Sequence, residues 1–132
     1  MKRLFFLFTI ALLLVSLCSC GGKPENTSDA MYQIGLNALS VADEYINGKI
    51  TADEAHSRLK DIEELADAQY ERWCEEFGTE TLVGTKYEND SGIYFEIAIL
   101  ELKIMGAKHS FDTTPLSEII EARDDLEEQL GK

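Results

Sequence analysis

The side chains able to do covalent or acid–base chemistry in this chain are few and far apart. Thiols stand at Cys18, Cys20 and Cys74, and imidazoles at His56 and His109. Metal capture needs an H-E-x-x-H pair or a Cys/His cluster, and neither histidine has such neighbours. No G-x-S-x-G elbow, phosphate-cradling glycine loop or dinucleotide fingerprint occurs. Cys74 lies in Trp73-Cys74-Glu75-Glu76, where carboxylates disfavour the thiolate that a nucleophile needs, so it reads as a small apolar side chain. His56, between Asp53 and Lys60 in a helical pattern, reads as a surface residue. Glu88-Asn89-Asp90 puts three oxygen-bearing side chains in a row but lacks the spaced loop that wraps calcium. Capping of the next helix by Asp90 or Ser91 is the simpler use. The 25 acidic residues are spread along helices whose other faces are apolar, as on solvated surfaces. An enzyme is the least favoured reading, and neither metal nor diffusible cofactor is expected.

Cys20 has a different setting. Lys2 and Arg3 precede the run Leu4–Leu17, apolar except for Thr9 and Ser16, and Ser19, Cys20, Gly21 and Gly22 follow. Such a run is too short to span a bilayer comfortably and has the proportions of a secretory signal. The ending Leu17-Cys18-Ser19-Cys20-Gly21 resembles the lipobox of bacterial lipoproteins: an aliphatic residue three places before the cysteine, a small one just before it, glycine after it. That resemblance implies cleavage between Ser19 and Cys20, diacylglycerol on the Cys20 thiol, and a domain held by fatty chains outside the cytoplasm. The residue types suit the chemistry. The apolar run is a handle for export, Ser19 leaves room for a peptidase, and a thiol is readily alkylated. Cys18 is the poorer candidate because Leu17 beside it is bulky. Two acyl chains anchor far better than one, since each buried methylene contributes about 0.8 kcal/mol.

With residues 1–19 as signal, 113 of the 132 residues remain, enough for one domain with a modest core. Losing Lys2 and Arg3 takes the formal net charge from −13 to −15. A chain so acidic supplies no basic groove, which excludes nucleic acid as a partner. Cys74 would be the one thiol left, so no internal disulfide can form and stability must come from apolar burial.

The apolar period then sets the elements. Residues 20–28, with Gly21, Gly22 and Pro24, read as a flexible tether. Residues 29–131 read as an all-α domain, a small antiparallel bundle with helices over about 29–47, 51–77, 91–108 and 114–130. Ser28 or Asp29 caps the first, and Asn47-Gly48 ends it. Thr51-Ala52-Asp53-Glu54 is a capping box for the second, which Gly78 ends. A short link between two amphipathic helices predicts an αα-hairpin. Residues 78–90 read as a long loop. Ile93–Met105 is the most apolar stretch, and its alternation Leu100-Glu101-Leu102-Lys103-Ile104 also suits a strand. Its length and the lack of a partner strand favour a central helix. Thr114-Pro115 reads as cap and first turn of the last helix.

Two surfaces remain as candidates for recognition. Tyr70, Trp73 and Phe77 recur at helical spacing, and with Tyr87 from the loop they could form an aromatic patch. The other is one face of Ile93–Met105. The expected function is that of a membrane-anchored, non-catalytic protein-interaction or structural module. A lipoprotein that binds a small solute is the alternative, and it requires a concave pocket.

Overall fold

The computed structural model describes residues 22–108 and 114–132. The leader, Cys20 and His109 lie outside them. The described residues form four helices and no strand: α1 (Asp29–Ile46), α2 (Ala52–Phe77), α3 (Glu88–Lys108) and α4 (Leu116–Gln129). The chain is an all-α bundle, as its periodicity predicts, and the apolar stretch with strand-like alternation is helical.

Local chemistry sets most of the boundaries. The Ser28 hydroxyl accepts from the Met31 amide at 3.1 Å and opens α1. Gly48, at φ +70°, follows its end. Thr51 accepts from the Glu54 amide at 3.2 Å and opens α2. Gly78, at φ +64°, closes α2 in the left-handed position, and the Thr79 amide donates back to the Cys74 carbonyl at 2.9 Å.

Two expected boundaries move. The third helix starts at Glu88 rather than 91, because a turn through Thr85 feeds straight into it. The Thr85 hydroxyl accepts the Tyr87 amide at 3.2 Å and its carbonyl accepts the Glu88 amide at 3.3 Å. Asp90 is therefore inside the first turn and caps nothing there. The last helix starts at Leu116, with Pro115 rather than Thr114 in the cap position and no side chain capping it.

The expected flexible tether is tied down from its middle onward. Thr27 and Ser28 are buried. The Ser28 amide donates to Asp90 Oδ1 at 2.8 Å, and the Asn26 carbonyl accepts from the Asn89 amide at 3.0 Å. Glycine and proline content predicted freedom here, but buried polar partners on α3 supply hydrogen bonds that a spacer lacks.

Both α1 and α3 pack against all three other helices, whereas α2 and α4 do not touch each other. The bundle is thus a diamond, with α1 and α3 on its short diagonal. The core runs between them: Met31, Ala38 and Val41 from α1 meet Ile93, Ile97, Leu100 and Ile104 from α3, all essentially inaccessible. Leu59 from α2 and Ile119 and Leu126 from α4 close the two sides. Gly35 lets α3 and the end of the chain come close; a Cβ there would stand 3.0 Å from Ile93 and 2.8 Å from Leu130. Ion pairs tie the corners: Arg58–Glu44 joins α2 to α1 at 2.9 Å, and Arg123–Asp43 joins α4 to α1 at 2.8 Å.

Candidate functional site

A helix at the centre of a bundle can be apolar all round only if all its sides are covered. In α3 one side is not. Ile93, Ile97, Leu100 and Ile104 fill the core, Tyr94 and Glu101 turn to α2, and Lys103 turns to α4. Phe95, Ile99 and Leu102 face outward from between α2 and α4, with 57%, 41% and 57% of their surface exposed. They fall at i, i+4 and i+7, a continuous stripe about two turns long. Leu65 of α2 and Leu116 and Ile120 of α4 are exposed as well, but they share the helix faces of Arg58 and Arg123, which bond to α1, and do not extend the stripe.

Carboxylates rim the stripe. Glu63 on α2 is pushed up by burial and by the charges of Asp67 and Glu101, and Glu96 on α3 by burial and by Asp125 of α4. In both, burial is the larger cause and like charge the smaller, and Lys60 partly offsets the effect at Glu63. Lys103 of α3 is engaged with Glu118 of α4 at 2.5 Å.

The four aromatic residues expected to form one patch separate into two sets. Trp73, Phe77 and Tyr87 form a cluster, with Trp73–Tyr87 ring centroids 4.5 Å apart and Phe77–Tyr87 5.9 Å apart. Tyr70 instead stacks on Tyr94 of α3, centroids 5.3 Å apart, and belongs to the α2–α3 contact. All four are half-buried. Cations lie on the cluster's rings: Lys86 is 4.9 Å from the Tyr87 centroid and Arg72 5.3 Å from that of Trp73. Leu82, in the middle of the loop, is fully buried.

Asp90 is the polar centre that periodicity misses. It is fully buried, with both oxygens accepting from Ser28, one from the amide and one from the hydroxyl. Burial nonetheless raises its pKa above the usual carboxylate value, against the pull of those hydrogen bonds. The Trp73 indole N–H also favours its charge, although it meets no acceptor within hydrogen-bond geometry. Beside it, the Asn89 amide nitrogen donates to Thr27 Oγ1 at 2.8 Å and to the Gln129 carbonyl at 3.2 Å, while the Gln129 side chain donates back to Asn89. This network joins the starts of α1 and α3 to the end of α4. Its members are structural.

The remaining reactive groups do not converge. His56, expected at the surface, is half-buried and bridges α2 to α3 through Glu101 at 2.8 Å. Cys74 is a free, half-buried thiol. Among the described residues no group of three or more His, Cys, Asp or Glu could hold a metal. The concavities described are open and mixed in lining: one of about 310 Å³ lined by Asn37, Ser40, Val41, Arg58, Asp61 and Ile62, another by Glu71, Cys74, Glu75 and Glu80, and a more polar third by Glu25, Glu88 and Asn89. Tyr70, Trp73 and Tyr87 line none of these three. No described helix is long and apolar enough to cross a membrane. Comparison with family models, curated proteins and solved structures gave no match to this chain.

Proposed function

We propose that this protein is an extracytoplasmic lipoprotein, anchored through diacylglycerol on Cys20, whose helical bundle is a non-catalytic module for binding another protein. The exposed stripe Phe95–Ile99–Leu102 carries the reading. Nearly every other large apolar residue of α3 is used inside the bundle, so this one uncovered side is surface that gains from a partner. The acidic rim selects that partner's chemistry: an apolar ridge flanked by Lys or Arg.

Photocrosslinking in the native membrane tests it. A benzophenone side chain at position 99 should yield a discrete protein adduct, while the same group at position 37, on the outward side of α1, should yield none. Equal or absent adducts from the two positions would defeat the reading. The anchor has its own test: intact-mass analysis should show the chain starting at Cys20 and carrying lipid.

A further inference from the structure

One end of the bundle collects unlike features. The starts of α1 and α3 and the end of α4 meet there through Ser28–Asp90 and Asn89–Gln129. The end of α2 joins them through Trp73 and Phe77, which meet Tyr87. Here too the chain arrives from its amino terminus: Pro24 lies against Gly131, and the Gly22 carbonyl is 3.4 Å from where a Cβ on Gly131 would stand. Gly22 is only two positions beyond Cys20, a reach of about 7 Å at full extension. Because residues 26–28 are bonded to α3, the chain between lipid and bundle is far shorter than a nine-residue tether would be.

The outer surface of this end suits a bilayer interface. Val83 at the loop tip is 70% exposed. Lys86 lies over the Tyr87 ring and Arg72 over that of Trp73; the rings of Phe77 and Tyr87 are half-buried, and the Trp73 indole N–H is turned inward, toward Asp90. Aromatic bodies with polar tips and long cationic side chains are the types that settle at headgroup level. Glu75, Glu76, Glu80 and Glu88 share the region, so the surface fits zwitterionic rather than anionic headgroups.

Resting on the lipoprotein reading, we propose that this end is a second membrane contact: the loop Thr79–Tyr87 and the Trp73–Phe77–Tyr87 cluster lie in the headgroup layer, and the bundle stands with its Asn47–Lys49 turn farthest from the membrane. The orientation has a consequence for the exposed stripe. With a rise of about 1.5 Å per residue, Phe95 stands roughly 10 Å and Leu102 roughly 20 Å above the start of α3. The stripe then faces sideways along the membrane.

Tryptophan quenching tests this in the full lipidated chain reconstituted into phosphatidylcholine vesicles carrying a headgroup nitroxide. Trp73 is the only tryptophan, so emission can be moved at will. Val83→Trp and Asn47→Trp, each with Trp73→Phe, report the two ends, and circular dichroism checks that both stay helical. Quenching should be at least about twofold greater at position 83 than at 47, as headgroup-level placement requires. Native Trp73, read in the unaltered chain, should also exceed position 47. A chain shown by mass to be lipidated, yet quenched equally weakly at 83, 73 and 47, would overturn the orientation alone. A chain shown to lack lipid would remove the anchor and this inference with it.

Discussion

The two helices on the short diagonal, α1 and α3, have the same place in the bundle and opposite exteriors. Each packs against the other three. On α1 the outward positions are Gln33, Asn37 and Ser40; on α3 they are Phe95, Ile99 and Leu102. Packing cannot explain the difference, because both sets are excluded from the core by the same geometry. What differs is what each side is exposed to: α1 is finished for water, and α3 leaves apolar surface unburied at a cost of about 25 cal/mol per Å² that a partner would recover.

The largest effect that should separate the sides of α3 comes from one residue type used twice. Ile97→Ala, which empties core volume, should cost about 2–5 kcal/mol of unfolding free energy, whereas Ile99→Ala should cost less than about 1 kcal/mol. Urea titration of the two variants measures both. Equal losses would mean the outward side is buried after all.

Next in size is the bond that holds α1 against α3. Asp90→Ala leaves the Ser28 amide and hydroxyl without their acceptor and should lose about 1–3 kcal/mol; Asp90→Asn retains an acceptor and should lose less. Because burial raises the Asp90 pKa, the folded state holds this proton more tightly than the unfolded chain. Its contribution is complete below the ordinary carboxylate range and is lost as pH rises through that range to the raised value. Stability followed against pH should therefore lose that downward component in Asp90→Asn.

Arg123 ties α4 to α1 through Asp43 and to its own helix through Asp124 and Glu127. Arg123→Ala should cost about 1 kcal/mol, reduced by salt, because the group is partly screened. A larger, salt-insensitive loss would point to packing of its alkyl stem.

The smallest stability change should accompany the change most damaging to binding. Phe95→Ser with Leu102→Ser should leave the unfolding free energy within about 1 kcal/mol, while abolishing the adduct from position 99 and reducing the binding of an apolar dye. Gln33→Leu with Ser40→Leu should do the converse, giving α1 the dye binding of α3.

Much of this architecture is legible in the residues themselves. Period and caps locate four helices, because Ser28, Thr51 and Gly78 act on amides and carbonyls within four residues. Met31, Ala38, Leu59 and Leu126 are recognisable as core from spacing alone. The recognition surfaces are less legible. Tyr70 joins the aromatic stripe by spacing yet stacks on Tyr94, because the register of α2 on α3 sets its partner. Residues 20–28 read as a flexible tether by composition, but Asp90 and Asn89, sixty-two residues away, hold its end at Ser28 and Thr27. Ile93–Met105 offers no division into inner and outer faces, being apolar on nearly every side.

The sequence by itself determined the four helices, the caps at Ser28, Thr51 and Gly78, the acidic composition and the lipobox-like cysteine, since each follows from near neighbours along the chain or from composition. Only the tertiary structure decided that Asp90 is buried, that the tether is pinned beside Gly131, and that Phe95, Ile99 and Leu102 are the uncovered side of α3. Those outcomes depend on which helices lie beside which, and nonpolar attraction, having no direction, does not write that arrangement into any single segment.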